Sequence, residues 1–191
     1  MKVAIHQPEH FPYMGFFEKM EMSDLFIILD DVQYKKNNWQ NRNKFLNKNK
    51  VEEFFSVQVE QNSTKKLICN VKAIGGPWRK KNIKKIQQNF NIDTSKIYSH
   101  DKLIDINMGS IMWGRKILNI NTNMIYSSDL LIKSKGSQRL ADICCKVNAT
   151  QYISGIGGKS YLDESLFNCP VSYFTPKCQN HYSVIYNITN I

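Results

Sequence analysis

Three short stretches carry residue types able to do acid–base or anion-binding chemistry, and each sits where an apolar run ends. The first is "KVAIHQPEHFPYMGFFEK", in which Val3–Ile5 stop at His6 and Gln7, with His10, Pro8 and Pro12 close behind. The second is "LFIILDDVQ", ending in Asp30, Asp31 and Gln33, and the third is "YISGIGGKSYL", with Ser154, Gly155, Gly158, Lys159 and Tyr161. An imidazole titrates near working pH and suits a general base, and a carboxylate beside it can orient the ring. A glycine turn with an ammonium group offers N–H donors and positive charge to a phosphate or carboxylate. The third stretch is not a phosphate-binding loop of the GxxxxGK[ST] kind, since Gly155 lies only three residues before Gly158. Nor does a G-x-S-x-G elbow surround Ser154, so no covalent nucleophile is identified. Pro8 and Pro12 argue against a helix that would align His6 with His10 for a metal.

The stretch after the aspartates, "VQYKKNNWQNRN", adds Lys35, Lys36, Trp39, Asn41, Arg42 and Asn43. Two cations, an aromatic face, a guanidinium fork and several carboxamides suit a phosphorylated or sugar-like group, through stacking and bidentate hydrogen bonds.

The elements that must position these groups follow from periodicity. "KVAIH" and "LFIIL" read as strands covered on both faces, joined by a short helix over "YMGFFEKMEMSD" with Met14, Phe17 and Met20–Met22 inward. "EEFFSVQV" and "KLICNVKAI" alternate as two strands joined by the turn "EQNSTK", whereas the polar stretch before them, "QYKKNNWQNRNKFLNKNK", shows no period. Helices are predicted from "GGPWRKKNIKKIQQNF", from 101–119 despite two glycines, and from "SKGSQRLADICCKVNA". "NMIYSSDL", "QYISG" and "VSYFT" read as strands, and "GKSYLDESLF" as a short helix. Strands alternating with helices predict one α/β domain over 1–191, three-layered, with a mostly parallel mixed sheet. In such a sheet the carboxyl ends of the strands share one edge, where ligands bind. His6, Asp30 or Asp31, Arg42 and Ser154 would then line one cleft there.

Composition narrows the partners. The 191-residue chain is 42% hydrophobic and 12% aromatic, ordinary for a packed protein. A net charge of +10 favours anionic partners, although an Asn-, Lys- and Ile-rich composition raises lysine content by itself. Apolar runs are too short to cross a bilayer, and no leader is read at the start, so a cytoplasmic location is expected. Five scattered cysteines lack CxxC spacing, so neither disulfides, a metal nor a cofactor is expected. Cys144 and Cys145 read as buried small hydrophobes.

Taken in order, "IHQPEHFPYMGFFEK", "DDVQYKKNNWQNRN", "WRKK" and "GSQRLADICCKVNATQYISGIGGKSYLDESLF" resemble the WbqC-like protein family of bacteria. The resemblance spans nearly the whole chain. It carries over to His6, Gln7, Pro8, Pro12, Asp30, Asp31, Gln33, Trp39, Asn41, Arg42, Asn43, Ser154, Gly155 and Tyr161. It implies a role in surface-polysaccharide (O-antigen) biosynthesis: an acyl or aminoacyl transferase adding a group such as glycine to a nucleotide-linked amino sugar. His6 would be the base, Asp30 or Asp31 would orient it or bind the amine, and Arg42, Lys36 and Gly155–Lys159 would hold phosphate or acyl oxygens. A phosphorylated small molecule and an acyl donor, an aminoacyl-tRNA among the candidates, are the implied partners. Family members usually continue past a final "PK" into an apolar stretch, of which "YSVIY" here is only an echo. Two other readings stand beside this one. A non-catalytic RNA-binding protein would use Arg79, Lys80, Lys81, Lys84 and Lys85, and a nucleotidyl-transfer enzyme would use His6 and His10.

Overall fold

A computed structural model describes residues 1–189 and divides the chain into two compact units. Unit 1 comprises Met1–Gln7, Gly15–Asp30 and Ile120–Gln179; unit 2 comprises Pro8–Met14, Asp31–Asn119 and the chain from Asn180.

Unit 1 is built on a five-stranded sheet formed by β1 (Lys2–His6), β2 (Leu25–Ile28), β5 (Asn123–Tyr126), β6 (Gln151–Gly155) and β7 (Val171–Phe174). The strand order is β5-β2-β1-β6-β7, and every pairing is parallel. The sheet is thus wholly parallel rather than mixed; antiparallel ladder pairing between named strands is confined to a hairpin in unit 2. Central β1 buries Val3, Ala4 and Ile5 in succession, as a strand covered on both faces must. Helix α1 (Met14–Glu21) links β1 to β2, and α4 (Gly136–Lys146) links β5 to β6. The inward face of α1 carries Phe16, Phe17, Lys19 and Met20, while Met22 is exposed. Phe16 packs edge-on against Phe17 and Phe26 at 5.3 and 5.1 Å. Full burial of each such ring is worth about 1.5–3 kcal/mol. On α4 the two cysteines part company: Cys144 is buried and Cys145 exposed, because neighbouring helical residues point 100° apart.

Unit 2 holds the antiparallel hairpin β3 (Arg42–Leu46) and β4 (Glu52–Ser56), with α2 (Trp78–Phe90), α3 (Leu103–Ile117) and α5 (Val184–Thr189). Its core gathers Phe11, Tyr34, Phe45, Phe55, Trp78 and Tyr98. β3 falls inside the stretch that looked aperiodic, yet its burial alternates, with Asn43 and Phe45 inward. β4 therefore pairs with the segment before it. The expected strand "KLICNVKAI" is instead a 3₁₀ turn at Ile68–Asn70 followed by single bridges. The predicted helix in "GKSYLDESLF" is likewise two 3₁₀ turns, Ile156–Ser160 and Glu164–Leu166.

Candidate functional site

The chain runs outward from β1 to β2 and β5 on one side, then returns to lay β6 and β7 on the other. The boundary between β1 and β6 is a topological switch point, where open α/β sheets leave a crevice at their carboxyl edge. The ladders show where the two strands part. β1 stays paired with β2 as far as His6↔Ile28, but its pairing with β6 ends at Ala4↔Ile153. β6 itself continues along β7 to Gly155↔Phe174. His6 and the Ser154–Gly155 strand end therefore flank the point of divergence.

His6 is half-buried, with its ring edge against Phe16 at 4.9 Å and 76°. Its Nδ1 lies 3.0 Å from the carbonyl oxygen of Gln7. A carbonyl only accepts, so Nδ1 carries the proton and Nε2 the lone pair. Burial, and then the nearby Lys19 ammonium, lower the ring to about 3. Lys19 is itself buried on α1 and donates to the Ile5 carbonyl at 3.1 Å. His6 is thus neutral at physiological pH and a weak base. The sequence reading missed Lys19, although a lysine sharing a helix face with Phe16 and Met20 was a visible anomaly.

Asp30, just past β2, is buried at the same edge. Its Oδ1 accepts from Ser127 Oγ at 3.2 Å and the Ser128 amide at 3.0 Å, and its Oδ2 accepts from Ser128 Oγ at 2.8 Å. It ties the end of β2 to the turn after β5, a positioning role. Ser154 is buried and donates to the Gly155 carbonyl at 3.2 Å. The following 3₁₀ turn folds onto it so closely that a Cβ on Gly158 would lie 2.2 Å from Ser154 Oγ. The Gly158 carbonyl accepts from the amides of Tyr161 and Leu162, at 3.1 and 2.9 Å. Lys159 is exposed, as is Tyr161, whose accessibility is 69%.

Gln7, half-buried, follows His6 in unit 1, and the remaining sequence-predicted residues belong to unit 2. His10 is fully buried among Phe11, Phe55 and Tyr98, its Nε2 3.0 Å from the Tyr98 hydroxyl. Burial lowers it to about 3, with Asn107 opposing the shift. Asn107 donates to the carbonyls of Pro8 and Gln40, at 3.1 and 2.7 Å, which fixes its carboxamide beside the histidine. Asn41 donates to the Val57 carbonyl and Asn43 to that of Phe11, at 3.2 and 2.7 Å, so both amides are spent on the backbone. Gln33 likewise donates to the Thr64 carbonyl at 2.8 Å. Asp31 is half-buried. Lys36 is exposed, Trp39 is 39% exposed, and the Arg42 guanidinium lies 5.2 Å from the Phe54 ring centre. The candidate residues thus fall into an edge set in unit 1, an exposed set in unit 2, and a buried structural set.

No helix among the described residues is long and apolar enough to cross a membrane. No solved structure matches the chain. It is 30% identical over 180 residues to the uncharacterized protein Rv1507c of Mycobacterium tuberculosis, an alignment covering 87% of this chain and 78% of that protein. The model of the WbqC-like protein family matches residues 7–187, and the chain belongs to that family.

Proposed function

We propose that the protein is a transferase of bacterial surface-polysaccharide (O-antigen) biosynthesis, placing an acyl or aminoacyl group such as glycine on a nucleotide-linked amino sugar. The observation that supports it is the early parting of β6 from β1, with His6 at the end of β1 beyond the last β1–β6 pair. In the proposed reaction the sugar amine nitrogen attacks the acyl carbon. A C–N bond forms, the bond from acyl carbon to donor oxygen or sulfur breaks, and the amine proton passes to His6 Nε2 and on to the leaving group. A neutral imidazole is ready to accept. A phosphate brought beside the ring would raise its pKa from about 3 toward working pH, so ligand binding itself would strengthen the base. Lys159, exposed beside this strand end, would answer phosphate charge. Mass analysis of a uridine-diphosphate-linked amino sugar incubated with protein and glycyl-tRNA or an acyl thioester tests the reading. Gain of one acyl mass on the sugar supports it, and an unchanged sugar with every donor class refutes it.

A second reading, RNA binding through α2, keeps one specific support: Lys80, Lys81 and Lys84 are exposed on that helix. The other two cations are spent. Arg79 donates to the carbonyls of Tyr98 and His100, and Lys85 pairs with Glu53 at 2.9 Å. Nucleotidyl transfer by paired histidines has less support, because His10 is enclosed in an aromatic core.

A further inference from the structure

Unit 2 contains a pocket of about 610 Å³ formed where the β3–β4 turn, the last turn of α2 and α5 come together. That is room for a sugar or a disaccharide. Its walls are held by side-chain bonds. Asn47 donates to Glu53 at 2.7 Å and accepts from the amides of Asn49 and Val51, at 2.9 and 3.0 Å. Asn89 donates to the Lys85 carbonyl at 2.9 Å and accepts from the Lys48 amide at 3.3 Å, which ties the turn to the helix. Phe90, fixed edge-on against Phe45 at 5.1 Å, supplies an apolar surface.

The polar lining is of two kinds. On the hairpin side stand Lys48 and Lys50, which make no ion pair or side-chain hydrogen bond among the described residues, and no carboxylate of the described residues lines the pocket. On the helix side the carbonyls of Gln88, Asn89 and Phe90 lie beyond the final intrahelical bond, Asn91 N to Gln87 O, and form the negative end of the helix dipole. The Gln88 carboxamide adds a donor and an acceptor with no side-chain partner of its own among the described residues. A bare anion would satisfy the lysines but be repelled by the helix end. A neutral sugar would donate its hydroxyls to the carbonyls but leave the lysines unanswered. A sugar bearing an acid group does both.

We propose that this pocket binds an acidic sugar, its carboxylate or phosphate toward Lys48 and Lys50 and its hydroxyls toward the end of α2. The inference stands on unit 2 alone and does not depend on the transferase reading. The test is a titration of the full chain with D-glucuronate, glucose 6-phosphate, D-glucose and inorganic phosphate, followed by backbone amide chemical shifts. Saturable shifts with one or both acidic sugars, confined to residues 46–50 and 87–91, are expected in the millimolar range, and their relative strength tells carboxylate from phosphate. Replacing both lysines, Lys48→Gln with Lys50→Gln, is expected to weaken that binding about tenfold, since exposed charge contacts are individually modest. Lys84→Gln, outside the pocket, is expected to leave it unchanged. Any of four results overturns the proposal: no saturable shift in the pocket, glucose binding as tightly as the acidic sugars, inorganic phosphate binding as tightly as they do, or a lysine double variant that binds like wild type.

Discussion

Lowering the pH should unfold this protein through its buried histidines, and His10 provides the cleanest case. Its ring is fully buried and held near 3, whereas an unfolded histidine titrates near 6.5. As pH falls below that value the unfolded chain takes up a proton that the native ring refuses. Stability is therefore complete above about pH 6.5 and declines down to about pH 3, by about 1.4 kcal/mol per pH unit for one such group. Between pH 7 and pH 5 His10 alone should cost about 2 kcal/mol, an order-of-magnitude figure. His6, also held near 3, adds a decline of the same sign and similar size. Replacing His10 with glutamine removes the titrating group while keeping a polar side chain for Tyr98 and Asn107. The variant should be less stable at pH 7 by about 1–3 kcal/mol, because the buried hydrogen bonds fit less well. Its stability should nevertheless fall only about half as steeply between pH 7 and pH 5, the remaining slope being that of His6. Urea unfolding followed by circular dichroism at half-unit pH steps measures both slopes. Parallel pH profiles for variant and wild type would refute the claim that His10 is kept neutral by burial.

Other perturbations follow from the unit 1 edge. Gly158→Ala should destabilise by about 1–3 kcal/mol through its contact with Ser154 Oγ, and Ser154→Ala in the same chain should recover most of that loss. Thermal melts of the two single variants and the double variant measure the coupling. Asp30→Ala should cost about 2–4 kcal/mol, since three donors from Ser127 and Ser128 lose their acceptor, and chemical denaturation reads this directly. Mass mapping after brief alkylation of native protein should find Cys145 modified well before Cys144, whose thiol burial pushes up to about 12.

Particular residues explain how much of this was legible. Val3–Ile5 and Leu25–Ile28 were readable as strands because a strand covered on both faces must be apolar without interruption, and such runs have few other uses. Parallel order then placed His6 and Asp30 on one edge before any coordinates. What sequence could not supply was the fate of the polar groups. Asn41 and Asn43 have the composition of a sugar-reading loop, yet both are buried, just before and within β3, and satisfy the backbone. His10 resembled a partner for His6 only along the chain. Phe11, at a positive φ of 43°, and the prolines around it lead that segment into unit 2. The β3–β4 hairpin was masked because the inward face of β3 carries polar Asn43 beside Phe45, which breaks the apolar alternation, and the pocket beside it arises from three segments far apart in sequence. Local pattern reports which face is apolar, not which amide finds which carbonyl.

The central claim is that a ligand is held at the carboxyl edge of the parallel sheet, against His6. Calorimetric titration of wild type and His6→Ala with a uridine-diphosphate-linked amino sugar tests it most directly, with a thermal melt of each protein alongside. The variant loses the Nδ1 hydrogen bond to the Gln7 carbonyl and the edge contact with Phe16. It should melt only about 2–8 °C lower and remain folded at 25 °C. Binding by the folded variant should fall at least about tenfold. A folded His6→Ala protein that binds the nucleotide sugar as tightly as wild type would contradict the account.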